Sequence, residues 1–264
     1  MSHLYRTLIF SVIAAASLLP LSVLALYAVA PGWKFPDLIP AKFDLRAVHF
    51  LASQAGPVTQ HMLSSLAYSL LAVLLSFGLC IAPAHHFARR HFKGKALMEG
   101  LFLAPALVPS MAFSMGVHFL FIKAGLADTF IGIVMVLTIF SYPYMLRALT
   151  AGYQAFGEEF ELCAKNLGAG PIQRFLQVDL PMLMPAAIAG GSVVFLVAFS
   201  EYFLVFLIGG GAVDSFTGYL FPYLNSSDRS LGSLLTLVFL TVPVGLFVII
   251  ELVVSRMYRR KGIY

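Results

Sequence analysis

The sequence predicts an all-α, polytopic membrane protein with six transmembrane helices and both termini in the cytoplasm. Three observations carry this. First, 60% of the 264 residues are hydrophobic and only 11% are charged, less than half the roughly 25% of a soluble domain. The mean hydropathy is +0.90. Such a chain has too little polar surface to face water on all sides. Second, the apolar residues gather into stretches near the ~20 residues that a helix needs to cross a bilayer. Third, those stretches are continuous, which suits helices better than the alternating pattern of a membrane barrel. The sequence pI near 9.2 calls for no nucleic acid, because membrane proteins collect Lys and Arg on cytoplasmic loops. Lipid is the expected surrounding.

The predicted spans are 8–29, 62–84, 97–122, 130–149, 186–208 and 231–254 of a single transmembrane domain, 1–264. The first ends in "LYAVAP", which faintly resembles a signal-peptidase site. Its apolar region of about 20 residues is long for a signal peptide, so an uncleaved anchor is expected. "RRHFKGK" separates the second span from the third, and "SRMYRRKGIY" follows the sixth. Prolines 20, 83, 105, 109, 143, 185 and 243 fall in or at the ends of spans. There they free carbonyls that protein or water must satisfy. With the N-terminus inside, twelve basic residues face the cytoplasm: Arg6, Arg89, Arg90, Lys93, Lys95, Arg147, Lys165, Arg174, Arg256, Arg259, Arg260 and Lys261. Five face out: Lys34, Lys42, Arg46, Lys123 and Arg229. The positive-inside rule therefore fixes the expected orientation.

Between the fourth and fifth spans lies "FELCAKNLGAGPIQRFLQVDLPMLMP". Phe160, Cys163, Ala164 and Leu167 share one helical face. Glu158, Glu159 and Glu161 open the segment, where the helix dipole favours acids. Gly168 marks a stop, and Pro171 suits a new start. Ile172, Phe175 and Leu176 repeat the apolar spacing, and Pro181 and Pro185 bracket the return to the membrane. The pattern predicts a short helix, a glycine turn and a second short helix. Periodicity leaves two roles open: a hairpin lying on the bilayer, or a protruding lever.

The segment resembles the EAA loop of permease subunits of binding-protein-dependent ABC importers, of the methionine-importer-like (MetI-like) type. Leu162-Cys163-Ala164 falls on that motif's Glu-Ala-Ala, Gly168-Ala169 on its Gly-Ala and Leu180-Pro181 on its Leu-Pro. Phe175 and Val178 match its usual Phe and Val. One departure stands out. Leu162 occupies the Glu position and Glu161 precedes it, a displacement of about 100° around a helix. The resemblance implies that 158–181 is a cytoplasmic coupling loop. Glu161, Leu162, Cys163, Ala164, Leu167, Gly168, Ala169, Phe175 and Pro181 would engage a separate ATPase. It also implies a second permease subunit, identical or related, two ATP-binding cassette ATPases, and an extracytoplasmic substrate-binding protein. The location it implies is the bacterial inner membrane. Glycines 209–211, together with Asp214, Asn225, Asp228 and Arg229, fall in the second outer loop, and in such importers the outer loops receive the binding protein.

No Walker-type glycine loop occurs in the sequence and no nucleophile–base pairing stands out. The chain is expected not to be an enzyme; ATP and Mg would bind the partner, and no cofactor is expected here. His85, His86 and His91 sit beside arginines at a span end, so no metal site is expected. Cys80 and Cys163 do not suggest a disulfide framework. Glu201, inside the fifth predicted span with Ser200 and Tyr202 alongside, is a translocation-pathway candidate because intramembrane carboxylates are costly. A structural hydrogen bond fits it equally. His118 is the other polar residue of this kind, with packing its alternative role. "SEYFLVFLIGGG" resembles polyamine permeases, with relatives for ferric iron, thiamine and phosphonates, and a carboxylate there would suit a cation. An ATP-independent channel or uniporter is the rival reading, though it has no evident need for the 160–181 segment.

Overall fold

The computed structural model describes residues 3–33, 36–40 and 42–260. Lys34 and Lys261, named above, lie outside the described residues. The described residues are helical, with no strand among them. In chain order the helices are α1 His3–Val29, α2 Arg46–Ser53, α3 Ala55–Arg89, α4 Lys95–Leu103, α5 Ser110–Lys123, α6 Phe130–Phe156, α7 Glu159–Asn166, α8 Pro171–Arg174, α9 Leu180–Ser200, α10 Phe203–Gly209, α11 Phe216–Leu224 and α12 Arg229–Arg260. Among the described residues, five helical stretches are long and apolar enough to cross a membrane, or six if one bent pair counts as a span.

That bent pair is the first difference from expectation. The stretch 97–122 is not one helix. Residues Lys95–Leu107 and Ser110–Lys123 meet at 96°. Pro105 lies in a 3₁₀ turn, Ala104–Leu107. Val108, ahead of Pro109, is extended at φ −88°, ψ 132°. The ring of Pro109 disfavours a helical residue before it, and proline brings no N–H of its own. The second difference is at the fifth span, where α9 ends at Ser200 rather than continuing to residue 208. Glu201 turns extended at ψ 116°, and α10 follows separately.

The chain divides into two compact units. One comprises Met1–Met62 and Gly218–Tyr264. Within it α1 packs along α12, and α2 touches both. Arg46 on α2 is ion-paired with Asp228, just ahead of α12. Arg229 lies over the Tyr27 ring, 5.8 Å from its centroid. Phe50 and Tyr223 meet edge to face at 5.8 Å.

The other unit, Leu63–Thr217, is built around α6. One apolar cluster joins Tyr68, Ile133, Leu137, Leu204 and Ile208. A second joins Cys80, Phe87, Met145, Leu149, Tyr153 and Leu183. Helix α6 contributes to both. Its hydroxyls satisfy themselves in this apolar setting: Thr138 and Ser141 each donate to the carbonyl four residues back, at 2.7 and 2.6 Å. Helix α6 lies closest to α9, and small residues permit it. A Cβ on Gly152 would stand 2.6 Å from the Ala186 Cβ, and one on Gly190 would stand 2.7 Å from the Ala148 Cβ. Ala148 and Gly152 on α6, and Ala186 and Gly190 on α9, form the small-xxx-small pairing that brings membrane helices together.

Candidate functional site

The segment joining α6 to α9 follows the pattern read from the sequence. Helix α7 ends at Asn166, Gly168 turns at φ +83°, and α8 begins at Pro171. A residue with a side chain would be strained at that positive φ. After α8 the chain widens into a π turn, Phe175–Asp179, before α9. Glu159 and Glu161 sit in the first turn of α7 and Lys165 in the last, as the helix dipole favours.

The apolar face of α7 is not covered. Phe160 and Leu162 are each 52% exposed and Leu167 is 87% exposed; Ile172 on α8 is 75% exposed. Cys163 is exposed, and Ala164, Ala169 and Phe175 are half-buried. Gly168 and Pro181 are exposed.

Glu161 behaves differently. It is 8% exposed and points into the bundle. One carboxylate oxygen accepts from Arg89 Nε at 2.9 Å and Nη2 at 2.7 Å. The other lies 3.0 Å from His85 Nε2. Arg89, at the last residue of α3, also donates to the Tyr153 carbonyl at 2.6 Å and to the Gly157 carbonyl. Its guanidinium lies 5.0 Å from the Phe156 ring centroid, a cation–π distance. Burial pushes the Glu161 carboxyl pKa up, but the hydrogen bonds and charges of His85 and Arg89 outweigh it. The net position is below the ordinary value. Arg174 approaches Asp179 only to 4.0 Å, too far for a hydrogen bond.

The displacement of the acid by one residue thus has a structural counterpart. Leu162 takes the exposed position and Glu161 the inward one. Sequence reasoning had assigned Arg89 to topology and missed its bonding. The available signal was the 100° offset of Glu161, which implied an inward partner without naming it.

The pathway candidates are scattered. Glu201 stands at the break between α9 and α10, where its carboxylate accepts from the Leu204 N–H at 3.3 Å. Its carbonyl accepts from Thr217 Oγ1 at 3.3 Å. Ser200 donates back to Leu196 O at 2.7 Å. The Tyr202 ring stacks on Phe206 at 5.6 Å. His118 is half-buried on α5, with Nδ1 buried and unbonded. Among the described residues no group of three His, Cys, Asp or Glu could hold a metal ion.

Membrane-length helices, two of them joined by a polar hairpin that leaves its apolar face open, define a multi-pass membrane protein. Residues 75–260 match the family described as "Binding-protein-dependent transport system inner membrane component", and the chain belongs to that family. It is the permease component of a binding-protein-dependent ABC importer, and such permease subunits are not themselves enzymes. It is 25% identical over 199 residues to a molybdate/tungstate transport system permease of Thermococcus kodakarensis, covering 75% of this chain and 78% of that one. It is 31% identical over 160 residues to the molybdenum transport system permease of Escherichia coli K12, covering 55% and 69%. A trehalose transport system permease of Mycobacterium tuberculosis is 25% identical over 198 residues, covering 72% and 70%. The fold is similar to that of a chain of a bacterial ABC transporter involved in the import of the acidic polysaccharide alginate. There the TM-score is 0.66 at 14% identity, over 96% of this chain and 95% of that one.

Proposed function

We propose that this chain forms half of an importer's translocation pathway and that α7 is the surface an ATPase subunit grips on the cytoplasmic side. The observation that carries this is the uncovered apolar face of α7 and α8. Phe160, Leu162, Leu167 and Ile172 are open, yet they alternate with Glu158, Glu159, Lys165 and Asn166. Those polar residues keep the segment out of the hydrocarbon core, and in this reading protein rather than the bilayer surface covers its apolar face. Exposed apolar patches rimmed by polar residues mark interaction sites. The partners in this reading are a second permease, identical or related, two ATP-binding cassette ATPases that bind ATP and Mg, and an extracytoplasmic binding protein. The chain itself carries no cofactor, both its termini are cytoplasmic, and the membrane is a bacterial inner membrane.

The substrate we propose is a small oxyanion. Permeases similar to this chain are named for molybdate, tungstate and sulfate. The polyamine expectation has no such support, and the carboxylate on which its cationic lean rested caps a helix instead.

A mild-detergent pull-down of the chain from its native host tests the docking reading. An ATPase subunit is expected with the wild type and is lost on Leu167→Asp. Recovery of the chain alone, at every detergent strength, would sink the importer mechanism and favour a channel. Uptake of labelled molybdate, sulfate and spermidine through the recovered complex then separates the substrate classes.

A further inference from the structure

We propose that Arg89 is a positioning residue that makes α7 move as one piece with the end of α3. A push on α7 would then enter the bundle through a side-chain strut and not through the backbone. The inference rests on reading α7 as the surface an ATPase grips. The backbone alone is a poor lever. Helix α7 is flanked by Gly157 at φ +72° and Gly168 at φ +83°, and its N-terminus has no side-chain cap. Two glycine turns would absorb a displacement before it reached α6 or α9.

Arg89 bypasses the first of these turns. Its side chain is 7% exposed. From the last residue of α3 one guanidinium holds three parts together: the Tyr153 carbonyl near the end of α6, the Gly157 carbonyl at the turn, and the Glu161 carboxylate on α7. A planar guanidinium presents its donors in a fixed fork, so these contacts set direction as well as distance. His85, one helical turn earlier on α3, holds the second carboxylate oxygen. Glu161 is therefore gripped at both oxygens from a single helix face. The wider setting includes Asp179 in the π turn, whose carboxyl pKa is pushed up by burial and by the charge of Glu161, and Arg174 at the end of α8, which comes within 4.0 Å of Asp179. A buried ion pair is weak evidence of stability, because desolvation offsets attraction. Its better-supported role is to fix one geometry. An acid turned inward by one residue has left the docking face to Leu162 and become part of the transmission.

The test uses the whole importer, reconstituted with its ATPase, second permease and binding protein in proteoliposomes. Substrate imported per ATP hydrolysed is measured for wild type, Glu161→Gln and Arg89→Lys at equal complex yield and equal melting temperature. Each variant keeps the size of the side chain while weakening the fork. Both variants are expected to retain the ATPase subunit, with import per ATP falling about tenfold, within the range of ordinary coupling free energies. An unchanged ratio would overturn the proposal. So would loss of the ATPase subunit, which would make Glu161 a docking contact. Failure of both variants to reach the membrane would also overturn it, making the pair a folding element. A wild-type preparation without any ATPase would instead refute the docking reading on which the proposal rests.

Discussion

Adding one methyl group at Gly190 tests the close approach of α6 and α9. In Gly190→Ala the new Cβ would stand 2.7 Å from the Ala148 Cβ and 3.2 Å from Met145 Sδ. The sulfur belongs to a flexible side chain and can swing aside. The Ala148 Cβ is fixed to its backbone and cannot. Carbon atoms rest at about 3.5–4.0 Å, so the helices must part locally by about 1 Å. Overpacking of this kind costs about 1–3 kcal/mol. Against it, replacing Gly with Ala inside a helix gains up to about 1 kcal/mol. The single variant is therefore destabilised by roughly 0–2 kcal/mol, which alone decides little. The double variant Gly190→Ala/Ala148→Gly decides more. It moves the methyl across the interface, and the two propensity changes cancel. Its coupling energy should be about 1–3 kcal/mol in the rescuing direction. Cys80 supplies the readout. It is 1% exposed and belongs to the same apolar cluster as Met145. In a Cys163→Ser background, a thiol-reactive fluorophore reports thermal release of Cys80 in detergent. A double variant that melts below Gly190→Ala would refute the close-packing argument.

The capping role of Glu201 predicts a contrast between two substitutions. Glu201→Gln keeps an acceptor for the Leu204 N–H, so uptake and melting should change little. Glu201→Ala should lose about 1 kcal/mol in the same melt. Slowed uptake with the Gln variant would assign the charge to the pathway. Pro109→Ala removes the clash that holds Val108 extended. Spin labels at Leu101 and Met115 should then move towards the ~21 Å of a straight helix, whereas an unchanged distance would place the cause of the bend elsewhere. The lowered pKa of Glu161 fixes a sign for pH. Its stabilising contribution is complete above the ordinary carboxylate range and is lost as pH falls through the lowered folded-state value. Amide-exchange protection of α7 should be flat from about pH 8 to 6 and drop only under acid. A drop near neutrality would exclude Glu161 as its source.

What the sequence disclosed depended on range. The α7–Gly168–Pro171 hairpin was legible because each signal acts within a few residues: acids at a first turn, a glycine at a stop, a proline at a start. The bend at residue 108 was half legible. Both prolines were visible, but hydropathy runs unbroken through them and carries no angle. Likewise Glu201 read as mid-span because its neighbours are apolar, while the extended backbone at that position shows only in the fold. Helices α2 and α11 are short and lie between spans, where hydropathy has nothing to add. Arg89 was opaque. It lies 72 residues from Glu161, and an arginine at a span end serves membrane topology equally well. Only packing distinguishes the two roles.

The π turn at Phe175–Asp179, closed by the Leu180 N–H on the Phe175 carbonyl, makes chain length locally negotiable. A turn closed over five residues holds one residue more than an α turn. Removing one residue there would let the ladder revert to α while leaving Ala186 and Gly190 on the same side of the helix. Removing one residue anywhere in the α-helical stretch beyond it would rotate everything downstream by about 100°. The connection between the α7–α8 hairpin and the bundle therefore contains a site where a single-residue deletion is mechanically silent, flanked by helix where the same deletion would misalign the packing face.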